Sequence, residues 1–220
     1  MTDFELARKN MVDCQIRPSS VVNPVLLKSF EDIPRELFAP EKLQHIAYND
    51  ENIDIGQGRF LMEPATHAKL LQEANLKEDD IVLDIGVGSG YSSAILSSNV
   101  TTVISLEVNK RQMDKATRLW SELDLCNIAL VESPLNNGES KHAPYSLIII
   151  NGSVSEVPQI IFDQLANNGR LVTIIKKPKQ IIGKAIIFAK DSHGHISSEP
   201  LFEAGIPYIK GFDTKTSFQF

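Results

Sequence analysis

Cysteine is nearly missing from this sequence. Its 220 residues hold two, Cys14 and Cys126, far apart and without the close spacing of metal ligands, which argues against a disulfide framework or a zinc site. Both read as buried thiols with no chemical task. Long apolar runs are missing too, since no stretch approaches the ~20 residues a membrane helix needs. Residues 1–9 mix acids and bases where a secretory signal would be apolar. These absences lead to the expectation of a cytoplasmic protein that does not engage the membrane. A surplus of basic charge is also lacking: 22 Lys and Arg against 28 Asp and Glu give a formal charge of −6, which weighs against nucleic acid as a partner. The one dense basic run, Lys176-Lys177-Pro178-Lys179, reads as a solvated loop.

What is present fits an ordinary globular protein. Hydrophobic residues make up 42% of the chain and charged residues 23%, a balance that supports a packed core. From residue 80 onward, β-branched runs at 81–85, 103–106, 128–131, 147–150 and 170–175 alternate with helical stretches at 91–97, 110–123 and 157–165. Asn168-Gly169 is placed as the stop of the last helix. Strands alternating with helices build a parallel sheet covered on both faces. Runs at 184–189 and 196–202 around Ser192-His193-Gly194 predict an antiparallel hairpin at the sheet's edge. Residues 10–16, 24–30 and 41–47 look helical, punctuated by Pro18, Pro34 and Pro40. The expected fold is therefore α/β, a Rossmann-like doubly wound and mostly parallel sheet with an N-terminal helical cap and a C-terminal antiparallel hairpin. Residues 1–75 form the cap and substrate-side segment in this reading, and residues 76–220 the ligand-binding domain.

The strongest local signal is Ile81-Val82-Leu83-Asp84-Ile85-Gly86-Val87-Gly88-Ser89-Gly90-Tyr91, a buried strand that enters a glycine turn and then a helix. Gly86, Gly88 and Gly90 permit positive φ and let a ligand approach the main chain. A dinucleotide fingerprint needs another glycine where Tyr91 stands, so NAD and FAD are disfavoured. Asp84 puts a carboxylate at the strand's end, suited to the ammonium of a methionine moiety and repellent to a pyrophosphate. Glu107 lies 23 residues further on, close to the ~20 expected of the acid that accepts hydrogen bonds from ribose hydroxyls. The combination points to S-adenosyl-L-methionine. Glu132-Ser133-Pro134 falls where adenine would lie, which makes Ser133 a candidate contact, and Asn151-Gly152-Ser153 ends the fourth strand.

Beyond the glycine turn, Asp32-Ile33-Pro34-Arg35-Glu36-Leu37-Phe38-Ala39-Pro40, Ala47-Tyr48-Asn49-Asp50 and Ile55-Gly56-Gln57-Gly58 are similar to segments of the protein-L-isoaspartate O-methyltransferase family. So is the stretch from Pro144-Tyr145-Ser146 through Val157-Pro158 to Asn168-Gly169-Arg170-Leu171-Val172, and the resemblance covers nearly the whole chain. It implies a methyl ester made on the α-carboxyl of L-isoaspartate in damaged proteins, with a protein or peptide carboxylate as acceptor. That carboxylate is anionic at neutral pH, so its attack needs no general base.

Two departures stand out against the family pattern. The serine that the family aims at the substrate carboxylate is replaced by Met62, whose thioether donates no hydrogen bond. The family's Gly-Asp-Gly after the third strand is replaced by Glu132-Ser133-Pro134. Arg59, in place of a glutamine, offers a planar fork of donors for a carboxylate, and His67 matches a histidine that some members place near the cofactor. No catalytic residue is assigned. Two other readings stay open: a methyltransferase of this fold with a different acceptor, and a non-catalytic module that binds cofactor or a partner.

Overall fold

The computed structural model describes residues 3–212; the ends of both expected segments, residues 1–2 and 213–220, lie outside the described residues. Two strands form a small antiparallel hairpin, β1 (Ile53–Gly56) and β2 (Arg59–Leu61). The other seven build one sheet: β3 (Ile81–Ile85), β4 (Thr102–Glu107), β5 (Ile128–Glu132), β6 (Tyr145–Val154), β7 (Leu165–Ile175), β8 (Gly183–Lys190) and β9 (Ile196–Ala204). Their order is β5-β4-β3-β6-β7-β8-β9, parallel from β5 to β7 and antiparallel at β8 and β9. This is the Rossmann-like doubly wound sheet with its C-terminal hairpin. Strand order reverses between β3 and β6, which opens a crevice at their carboxyl ends.

Side-chain alternation divides the core. Val82, Val103, Leu147, Ile149, Val172 and Ile174 face one cluster, while Leu83, Ile85, Ile104, Leu106, Ile148, Ile150 and Leu171 face the other. Both faces are covered, as parallel sheets require. The first cluster continues through α4 (Pro64–Glu73), α5 (Tyr91–Ser97) and α6 (Lys110–Glu122) into the N-terminal elements α1 (Phe4–Met11), α2 (Pro24–Asp32) and α3 (Arg35–Phe38). The second lies beneath the single turn α7 (Gln159–Phe162).

Local chemistry accounts for the boundaries. Asp3 caps α1 by accepting from the Leu6 amide, and Asn23 does the same for α2 from Val25 and Leu26, with Pro24 as the first helical residue. The helix expected at 10–16 therefore begins earlier and ends in a π turn, Val12–Ile16. The stretch at 41–47 is a 3-10 helix, Glu41–Ile46. The helix expected at 157–165 shrinks to α7 because Leu165 is already paired with Tyr145 in β7. Asn168, at φ 61°, thus lies inside a strand irregularity and does not stop a helix. Cys14 and Cys126 are exposed, contrary to expectation: Cys14 sits between the inward-facing Val12 and Ile16, and Cys126 follows the turn after α6.

Candidate functional site

The segment that resembles a family motif, Asp32 to Pro40, acts first as a strut. The Arg35 side chain is fully buried, donating from Nε to the Ala47 carbonyl at 2.7 Å and from Nη2 to the Met62 carbonyl at 2.7 Å. Its guanidinium lies 5.0 Å from the centre of the Tyr91 ring, close enough for a cation–π contact. The chain on either side of the β1–β2 hairpin is thereby tied to the start of α5.

The glycine turn has the backbone its composition demands. Gly86, Gly88 and Gly90 take φ of 75°, 54° and 92°, a region costly for residues with a Cβ. A Cβ on Gly90 would come within 2.7 Å of the Trp120 ring, whose Nε1 donates to the Gly90 carbonyl at 2.9 Å.

Asp84 is wholly buried below this turn. It accepts from Ser93 Oγ at 2.6 Å, Asn151 Nδ2 at 2.6 Å and Ser92 Oγ at 3.1 Å. Burial pushes its carboxyl up to about 6, against the pull of those three hydrogen bonds. Asn151, foreseen only as part of a loop at the end of the fourth strand, is thus a direct partner of Asp84.

Glu107 ends β4, fully buried. Its Oε1 accepts from Arg59 Nη2 at 2.9 Å and from the amides of Val108 and Asn109 at 2.8 and 3.1 Å; its Oε2 accepts from Arg59 Nε at 2.8 Å and the Gly88 amide at 3.0 Å. A carboxylate offers about four lone-pair sites, so these five donors saturate it. Arg59 gives its remaining donor, Nη1, to the carbonyls of Lys210 and Gly58. Instead of reaching toward an acceptor, Arg59 is locked against Glu107.

Met62 is buried and lines a cavity of about 20 Å³ with Phe60, His67, Tyr91, Gly86 and Asn151, room for roughly one water. His67 packs edge-on to Phe30 with ring centres 5.5 Å apart, and among the described residues neither ring nitrogen finds a hydrogen-bond partner. Burial, helped by the charge of Arg35, lowers its pKa to about 3 and keeps it neutral. Ser133 donates to the Gly138 carbonyl at 3.2 Å.

Ile209 was not foreseen. Its Cδ1 lies 2.0 Å from where a Cβ on Gly86 would stand, and its Cβ lies 2.7 Å from the same point on Gly152. The space those glycines clear is filled by the isoleucine, which is 2% exposed. The only hint in the sequence is a short apolar stretch, Ile206-Pro207-Tyr208-Ile209, beyond the last strand. With Glu107 saturated and Ile209 against Gly86, these residues do not accommodate a nucleoside in the arrangement described. Among the described residues no cluster of three or more His, Cys, Asp or Glu could hold a metal ion, and no helix is long and apolar enough to cross a membrane.

Residues 7–209 match the model of the family described as protein-L-isoaspartate(D-aspartate) O-methyltransferase (PCMT). A protein-L-isoaspartate O-methyltransferase from Aliivibrio salmonicida is 31% identical over 205 residues, 93% of this chain and 97% of that one. Its namesake from Methanoculleus marisnigri is 33% identical over 165 residues, 75% of each chain. Among solved structures, a protein-L-isoaspartate O-methyltransferase superposes with a TM-score of 0.80 at 24% identity, covering 93% of this chain and 66% of that one. A putative enzyme of the same name from Plasmodium falciparum, in complex with S-adenosyl-L-homocysteine, gives 0.74 at 20% identity and covers 96% of this chain and 100% of that one. These two likenesses speak to the fold.

Proposed function

We propose, since this chain belongs to the protein-L-isoaspartate(D-aspartate) O-methyltransferase family, that it makes methyl esters on L-isoaspartyl carboxylates of proteins, with S-adenosyl-L-methionine as methyl donor. The observation that carries this reading is the family match across residues 7–209, which takes in both the Asp32 to Pro40 strut and the glycine turn at the sheet's switch point. In this reading residues 1–75 supply the acceptor side and residues 76–220 the donor side. Asp84, Gly86, Gly88, Gly90, Glu107, Ser133 and His67 are the candidate donor contacts. We place the reaction in the cytoplasm, without nucleic acid or membrane as partner.

The acceptor needs little from the protein besides placement. A carboxylate with an ordinary pKa of ~3.9 is already ionised at neutral pH, so orientation at near-attack distance in a site with little water is the main requirement. Incubation with an isoaspartyl peptide and methyl-labelled S-adenosyl-L-methionine is expected to give a base-labile methyl ester that an aspartyl peptide of the same composition does not form.

One observation favours a second acceptor. Met62 offers no donor and Arg59 is held by Glu107 in the arrangement described, which there leaves neither of the two expected polar contacts for an isoaspartyl carboxylate. Label passing to another component of a cell extract, with none on the isoaspartyl peptide, would select that reading.

A further inference from the structure

After β9 the chain turns back over the carboxyl ends of β6 and β3, and residues 205–212 lie across the crevice described above. They are held there by a built set of contacts. The Ser153 amide donates to the Pro207 carbonyl at 2.9 Å and the Ile209 amide to the Ser153 carbonyl at 3.0 Å, a single parallel bridge. Ser153 Oγ and Lys176 Nζ both donate to the Ile206 carbonyl, at 2.7 and 2.6 Å, and Arg59 Nη1 to that of Lys210 at 2.8 Å. Ile206 and Ile209 are buried, and Gly211 rests on Leu135 in the loop after β5.

We propose that residues 205–212 form an intramolecular plug that competes with the nucleoside for the crevice. Ile209 fills the space over Gly86 and Gly152, and Arg59 satisfies Glu107 in place of ribose hydroxyls. The inference rests on the cofactor reading above, and it resolves the misfit between that reading and the filled crevice. Release is mechanically simple. Its backbone pairs with β6 through a single bridge among the described residues, supplemented by side-chain hydrogen bonds from Ser153, Lys176 and Arg59, whereas β8 and β9 stay paired through a full ladder, so the segment can peel away without opening the sheet. Both parts of the plug meet at one place, because Arg59 bonds to Glu107 with one side of its fork and to the Lys210 carbonyl with the other. Loss of either part loosens its partner.

When only the unplugged fraction binds, apparent affinity falls by that fraction. Weakening the plug therefore tightens nucleoside binding. Calorimetric titration with S-adenosyl-L-homocysteine compares the full chain with Ile209→Gly and Arg59→Gln. Removing a buried isoleucine side chain is expected to tighten binding by about ten- to a hundredfold, and freeing Glu107 by about tenfold. A second readout needs no variant. Hydrogen exchange at the Ile209 amide should speed up in the unaltered chain when S-adenosyl-L-homocysteine is added, while amides of the glycine turn slow down. Equal, measurable affinity in all three proteins, with exchange at Ile209 unchanged, overturns the plug and leaves the cofactor reading standing. No binding by any of the three overturns both.

Discussion

Replacing Asp80 by alanine is expected to lower the stability of the fold by about 3–5 kcal/mol, the usual consequence of removing one partner from a buried ion pair. Asp80 is 1% exposed and Arg170 8%. They meet through Arg170 Nη2 to Oδ2 at 2.6 Å and Nη1 to Oδ1 at 3.0 Å. The carboxylate also accepts from Ser146 Oγ at 2.7 Å and the Lys77 amide at 2.8 Å. Burial alone would raise its pKa, but Arg170 and these hydrogen bonds hold it below the ordinary value. The guanidinium reaches further, to the carbonyls of Ala74, Asn75 and Ser146, so it staples the end of α4 to the starts of β3 and β6 and the middle of β7. Asp80→Ala leaves that cation buried without its counter-charge. Against a total stability of roughly 5–15 kcal/mol, the loss is large, and the urea midpoint should fall steeply. The pair lies at the amino ends of the strands, away from the crevice, so ligand affinity of the folded fraction should stay as it was. A midpoint change equivalent to less than about 1 kcal/mol would contradict this account.

The second large effect depends on pH and comes from His67. Its pKa is about 3 in the fold, against an ordinary value of 6.5. The unfolded chain therefore binds the proton more readily between those limits. Stability from keeping His67 neutral is complete above pH 6.5 and is lost as pH falls toward 3, at up to ~1.4 kcal/mol per pH unit and about 5 kcal/mol across the window. Asp84 acts in the opposite sense. With a carboxyl near 6 in the fold and an ordinary value of 3.8, it adds about 3 kcal/mol of stability as pH falls from 6 to 3.8. The two largely cancel over the interval they share. His67→Leu removes one side of that balance, and the difference in stability between variant and parent should grow in the variant's favour by about 3 kcal/mol from pH 6.5 to 4. Thermal or urea unfolding of both proteins across that range measures it; parallel pH profiles would show that His67 is not held neutral by its surroundings.

The sheet domain was largely legible because its signals are local. Runs such as Ile81 to Ile85 and Leu147 to Ile150 declare buried strands without reference to the rest of the chain, and the glycine turn with Asp84 and Glu107 follows from their ends. The helix over 157–165 failed for a reason of the same kind. Val157, Ile160, Ile161 and Leu165 carry a helical spacing, but a non-local pairing of Leu165 with Tyr145 takes precedence. The β1–β2 hairpin was hidden because Gly56-Gln57-Gly58 reads as loop and its strands are only four and three residues long. The contents of the crevice were beyond reach. Arg59 and Glu107 stand 48 positions apart, and both carry charges that suit ligands equally well. Nothing in Ile206-Pro207-Tyr208-Ile209 says which surface it covers. Residue types suggested a ligand at the glycine turn, and only tertiary packing shows Ile209 against Gly86 and Arg59 against Glu107.

The chain has one tryptophan, and Trp120 sits with its indole against Gly90 at the foot of the glycine turn. Its emission is therefore an unlabelled optical gauge of that turn. Any rearrangement that shifts the Gly90 carbonyl or admits solvent to the ring would alter intensity or colour, with no second fluorophore of its kind to blur the signal. The protein thus carries its own dye at the base of the glycine turn.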